Sequence, residues 1–94
     1  MARLVFLGKC HDSMAGTGSI CTAAASRVPD STVRRVAGSA CETTGALRIG
    51  HPLGVMEVKV SAETAGDPAS TRFLILGLTR TARRLMAGDV FLPV

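Results

Sequence analysis

Ninety-four residues, 47% hydrophobic and 19% charged, make a single globular domain at most, with a core that buries only about 60 to 65% of the unfolded surface. Aromatic residues are 3%, without Trp or Tyr, so the core must be built from Val, Leu, Ile, Ala and Met, and a base-stacking platform for nucleic acid is missing. The formal charge of +4 favours an anionic partner and leaves nucleic acid and small carboxylates both open.

No apolar run approaches the roughly 18 residues that span a bilayer, and the opening MARLVFLGKCHD lacks a long apolar signal core, so no membrane partner and a cytoplasmic location are expected. Cys10, Cys21 and Cys41 are odd in number and contain no C-x-x-C pair, which argues against a disulfide framework and a structural zinc site. Reduced thiols are expected, with no metal and no cofactor.

In chain order, RLVFL (3–7) is a short apolar run ending at Gly8 and reads as a buried strand. KCHDSMAGTG is a loop of turn formers. The alanine-rich SICTAAASRV that follows favours a helix, which Pro29 ends because the residue before proline avoids the α region. Ser13 to Ser26 carries no charge, the composition of a helix enclosed by other structure rather than one lying on a surface. VPDSTVRRVAGSACETTG reads as a turn, a short amphipathic piece TVRRVAG and a flexible, exposed connection.

The period then changes to two. In VMEVKVSAE, Met56, Val58, Val60 and Ala62 point one way and Glu57, Lys59, Ser61 and Glu63 the other, a half-buried antiparallel strand. LRIG is its partner, and HPLG between them fits a tight turn with His51 at the tip of a hairpin. AGDPAS is a further turn, and RFLILGL, continuously apolar, reads as a central strand. In TRTARRLMAGDVFLPV the first part has helix propensity and the last part is strand-like.

The candidate chemistry begins at GTGS. The first amides of a helix starting near Gly18 have no intrahelical partner and lie at the positive end of its dipole. Thr17 or Ser19 can cap them, or an anion can, and the glycines at 16 and 18 let a ligand approach the backbone. A dinucleotide fingerprint fails because Cys21 stands where Gly or Ala is needed, and the Gly-Lys-Ser/Thr of a Walker A motif is absent. Cys10 and His11 are adjacent in sequence and do not face each other as a nucleophile and its base would, so a buried Cys beside an exposed His is the plainer reading. His51, flanked by Gly50 and Pro52, sits where packing seldom requires a histidine. Arg80, Arg83 and Arg84 form the densest basic cluster and read as a solvated face.

Taken in order, GKCHDSMAGTGSICTAAASRVP, LRIGHPLGVMEV and TRTARRLMAGDVFLP resemble the C-terminal part of the PrpF family. Members share the diaminopimelate epimerase fold and isomerise small unsaturated di- and tricarboxylates such as aconitates, a chemistry placed in propionate metabolism. The resemblance implies an α+β fold in which an antiparallel sheet curls around a central helix over residues 17–28, and it turns the final segment into a terminal strand pair. It makes residues 1–94 one partial domain, the C-terminal segment of a two-domain isomerase.

By the same resemblance Thr17, Gly18 and Ser19 bind a substrate carboxylate. His51 and Gly54 match a GHP-x-G motif near the cleft mouth, and His11 and Met14 match the approach loop. Related epimerases place a catalytic cysteine immediately before Gly-Thr-Gly, where this chain has Ala15, so cysteine-based racemisation is not expected. Cys21 is expected to pack inside the helix. The lysine and cysteine usually implicated in the isomerases belong to the first half, which leaves the catalytic residues unassigned.

Two functions follow as expectations. The first is an isomerase fragment that keeps part of a carboxylate site, is inactive alone, and assembles with a second copy or a complementing N-terminal half. The second is a small basic module binding nucleic acid or a protein partner, with the scarcity of aromatics counting against nucleic acid.

Overall fold

The computed structural model describes residues 1–42 and 45–94. In chain order its elements are β1 (Val5–Phe6), β2 (Lys9–Cys10), α1 (Gly16–Arg27), α2 (Thr32–Ala37), β3 (Ala46–His51), β4 (Gly54–Glu63) and β5 (Arg72–Gly77). Short 3₁₀ turns at Gly38–Glu42 and Pro68–Ser70 follow α2 and precede β5. The α+β class expected from the sequence is observed, with one two-stranded and one three-stranded sheet, both antiparallel.

The period-two stretch forms β4, the middle strand of the order β3-β4-β5. Val58 and Val60 are fully buried and Glu57 and Lys59 exposed, as alternation on a half-buried strand requires. His51 pairs with Gly54, so Pro52 and Leu53 alone make the turn. Gly54 closes it at φ +144°, a conformation that side chains disfavour.

Helix α1 lies across the same face of the sheet. Its buried positions are Ser19, Ala23 and Ser26, spaced one turn apart on one stripe and small enough to let the helix backbone come close to the strands. Ala23 joins Met14, Leu47, Ile49, Val58 and Val60 in the core, with Ala2, Leu4, Ile20 and Met56 packed at its margin. The buried hydroxyls are satisfied within the helix: Ser19 Oγ donates to the Ala15 carbonyl at 2.9 Å and Ser26 Oγ to the Ala23 carbonyl at 2.6 Å. At the other end of α1, the Arg27 guanidinium donates to the carbonyls of Cys41 and, at 3.2 Å, of Ala46, tying the helix to the 3₁₀ turn and to the start of β3.

The enclosed helix expected from the uncharged composition is not observed among the described residues. Thr17 and Cys21 are exposed on the side of α1 away from the sheet. Small uncharged side chains permit close packing on every side, but one layer of three strands covers only one. Cys21 is therefore a surface thiol and not a packing residue. Cys10, expected to be buried beside an exposed His11, is exposed as well.

Three strand expectations are also corrected. RLVFL is not a buried strand: only Val5–Phe6 pairs, with Lys9–Cys10, across a two-residue turn in which Leu7 and Gly8 both have positive φ. That hairpin stands off the core, and only Leu4 reaches it. RFLILGL is an edge strand rather than a central one, because β4 already has β3 on its other side. TRTARRLMAGDVFLP forms neither a helix nor a strand pair; residues 79–94 are exposed throughout. With this segment lying off the core, the radius of gyration is 16.9 Å against about 12 Å for a compact chain of this length.

Ser31 caps α2 by accepting from the Arg34 amide at 3.1 Å. Within the connection predicted to be exposed and flexible, Cys41 is buried, and Thr43 and Thr44 lie outside the described residues. The AGDPAS turn is present, with Asp67 Oδ1 accepting from the Ala69 amide at 3.3 Å.

Candidate active site

The chain enters α1 through Ala15, which holds the N-cap position in an extended conformation and offers no side-chain cap. The first helical hydrogen bond runs from the Ser19 amide to the Ala15 carbonyl at 2.8 Å. The uncapped donors are therefore the amides of Gly16, Thr17 and Gly18, two residues earlier than the Gly18, Ser19 and Ile20 set expected from the sequence. Ser19 is fully buried with its hydroxyl committed to Ala15, so it supports the turn from inside. Thr17 is exposed and Gly18 half-buried, its open side facing Leu4.

A cleft of ≈ 490 Å³ opens beside this helix start, lined by Ser13, Met14 and Gly16, by Met56 and Glu57 of β4, and by residues 78–81. Arg80 reaches back to the start of α1: a Cβ placed on Gly16 would lie 3.2 Å from Arg80 Nη1 and 3.8 Å from Leu78 Cδ2. Glycine at 16 thus leaves room for a guanidinium at the positive end of the helix. Two positively polarised features converge there, and a carboxylate between them can accept from backbone amides and from a forked cation together.

Arg80 is exposed, as a solvated face requires, and its approach to the start of α1 is what the sequence reading did not include. TRTARR reads as a solvated cluster, and only the return of the chain past β5 brings one of its arginines to α1. A basic residue shortly after an apolar strand is the sole local sign, and many surfaces share it.

The other candidate residues are dispersed. Met14 is buried and forms the floor of the cleft. His11 lies in a separate shallow cleft of ≈ 310 Å³ with Phe6, Lys9, Cys10 and Asp12, its Nδ1 accepting from the Ser13 amide at 3.1 Å. His51 accepts from the Leu53 amide through Nδ1 at 3.2 Å, and with Gly54 it closes the β3–β4 hairpin; neither lines the helix-start cleft. The larger groove of ≈ 580 Å³ between α2 and β3 holds none of the candidate residues, and its lining is mainly apolar. The convergence of amides and guanidinium therefore places the candidate site at the smaller cleft.

Among the described residues no group of His, Cys, Asp and Glu is arranged to hold a metal ion, and no helix is long and apolar enough to cross a membrane. The cleft can bind an anion and stabilise negative charge that develops on it.

The chain is similar to known isomerases. The chain is 37% identical over 91 residues to a 3-methylitaconate isomerase of Eubacterium barkeri, an alignment covering 97% of this chain and 22% of that protein. It is 31% identical over 93 residues to a 2-methyl-aconitate isomerase of Cupriavidus necator and 30% identical over 93 residues to one of Shewanella oneidensis, each covering 99% of this chain and 22% of the relative. The chain thus spans about a fifth of the length of these relatives. No solved structure matches it. The family described as PrpF protein matches residues 1–93, the whole chain but for its last residue, and the chain belongs to that family.

Proposed function

We propose that this chain forms part of the active site of an isomerase of small unsaturated di- and tricarboxylates, in the diaminopimelate epimerase-like fold, and contributes the carboxylate-binding part of it. The observation that carries the reading is the approach of the Arg80 guanidinium to Gly16 at the start of α1, where the amides of Gly16, Thr17 and Gly18 have no helical acceptor. Relatives named for methylitaconate and methylaconitate isomerisation support the substrate class.

Moving a double bond in such an acid requires loss of a proton next to a carboxylate, and negative charge spreads into that carboxylate as the proton leaves. Preorganised amides and a guanidinium around its oxygens stabilise this charge, each well-placed donor being worth roughly a hundredfold or more in rate. Thr17, Gly18 and Met14 border the acid's binding end, and Ser19 holds the turn from beneath. His11, His51 and Gly54 contact the more distant part of the substrate once the rest of the site is assembled. The groups that move the proton come from polypeptide beyond the matched fifth of the relatives. This chain alone binds the acid without turning it over.

The test is an amide NMR titration of the labelled chain with cis-aconitate, repeated with Arg80→Ala. Saturable shifts centred on Gly16, Thr17 and Gly18, weakened about tenfold or more in the variant, are expected. A spectrum that is well dispersed and does not respond overturns the assignment.

A further inference from the structure

We propose that His51 and His11, the two histidines of the chain, are set by their own turns as neutral Nε2–H donors, so that each presents a donor and neither can serve as the base. The two rings sit in separate parts of the fold in the same arrangement. His51 ends β3 and pairs with Gly54 across the two-residue turn, and its Nδ1 lies 3.2 Å from the Leu53 amide nitrogen. His11 follows β2, held by its own amide donating to the Leu4 carbonyl at 2.7 Å, and its Nδ1 lies 3.1 Å from the Ser13 amide nitrogen. In both cases the ring folds back on the amide two residues further on.

A backbone amide can only donate, so the ring nitrogen that meets it must supply a lone pair. A neutral imidazole has one such nitrogen and carries its proton on the other. The hydrogen bond made by one nitrogen thereby decides the state of its neighbour. At His11 the Ser13 carbonyl also lies 3.2 Å from Nδ1, within reach of an Nδ1–H. A proton there would point at the hydrogen of the Ser13 amide, whereas a carbonyl in this exposed turn can take its hydrogen bond from water. The lone pair at Nδ1 is the arrangement that serves both groups.

Removing a proton from carbon needs a lone pair directed at it. In each ring the Nδ1 pair is taken by the backbone, and the nitrogen left over bears hydrogen. Such an N–H suits a carboxylate or carbonyl oxygen, and a neutral one adds direction without adding to the charge that Arg80 brings. The consequence for catalysis rests on the carboxylate reading of the site; the tautomers do not.

Long-range proton–nitrogen correlation spectra of the labelled chain, recorded at a pH at which both rings are neutral, read the tautomers directly. The expected result is a proton on Nε2 in both. A proton on Nδ1 of either ring, or an even mixture of the two forms, overturns the proposal. Substitution of His51 then separates its two nitrogens, because asparagine places an acceptor near the position of Nδ1 and glutamine places an N–H near that of Nε2. The Leu53 amide should exchange with water about fivefold faster in His51→Gln and His51→Ala, and within about twofold of the parent in His51→Asn. Equal rates in the parent and all the variants overturn the ring's role as acceptor. If a variant does not fold, the spectra of the unmodified chain decide by themselves. Nε2–H rings in a chain that binds no cis-aconitate would uphold this proposal and sink the carboxylate reading.

Discussion

Arg80 Nη1 stands 3.2 Å from the point a Cβ on Gly16 would occupy, so a residue beyond the last strand guards the first turn of α1. The contact separates two effects that usually travel together. In Gly16→Ala the added methyl crowds only the end of a flexible side chain and touches Leu78 at an ordinary contact distance, and alanine is the better helix former by up to about 1 kcal/mol. The melting temperature should hold or rise slightly. Carboxylate affinity should fall roughly fivefold as the guanidinium is displaced, a fraction of the about 1.5 to 3 kcal/mol that a charged hydrogen bond contributes. Thermal melts and a cis-aconitate titration on one sample read both. A variant that binds as well as the parent would mean that Arg80 does not share its ligand with the helix start.

The pleat of β4 makes a second prediction. Val58 is fully buried and Val55, on the same strand, is 56% exposed. Val58→Ala removes two carbons from a close-packed position and should cost about 2 kcal/mol in urea unfolding. Val55→Ala should change stability by less than about 0.5 kcal/mol. Equal losses would contradict the register His51↔Gly54 that fixes which face of β4 is inside.

What could be read from the residues in advance was the local part of the fold. Alternation from Met56 to Ala62 and the HPLG turn fix the hairpin, because the side-chain period and the turn geometry act within a few residues. The helix followed from alanine content and Pro29 for the same reason. RFLILGL was misjudged because a continuous apolar run looks alike in a central strand and in an edge strand awaiting a partner. Cys21 was misjudged because absence of charge permits burial but does not compel it. Arg80 could not be placed at all, since its position depends on how the chain returns after β5, a long-range outcome that no local pattern encodes. The family motifs Thr17-Gly18-Ser19 marked the right helix turn while shifting its free amides by one or two residues.

Arg27 carries a prediction about the joint between helix and sheet. Its guanidinium donates to the carbonyls of Cys41 and Ala46, which joins the end of α1 to the 3₁₀ turn and to the start of β3. Arg27→Ala should destabilise the chain by about 1.5 to 3 kcal/mol, the range for hydrogen bonds made by a charged group. Arg27→Lys should recover only part of the loss, because an ammonium cannot span two carbonyls as a planar fork does. Denaturant unfolding of both variants checks this, with full recovery by lysine counting against the bridging role.

The thiols give a test of the one-sided cover of α1 without any substitution. Cys10 sits on the small hairpin and Cys21 on the open side of the helix, both exposed, whereas Cys41 is 1% exposed beneath the turn that Arg27 holds. Under native conditions a thiol reagent should modify Cys10 and Cys21 rapidly and spare Cys41 until the protein unfolds. Peptide mapping after timed alkylation identifies the sites. Protection of Cys21 in a monomeric sample would mean that a further layer covers α1 and that the helix is enclosed after all. Fast reaction at Cys41 would instead mean that the 3₁₀ turn opens, and the Arg27 variants would then be expected to raise that rate before they lower the melting temperature, because local opening precedes global unfolding where few contacts hold a segment.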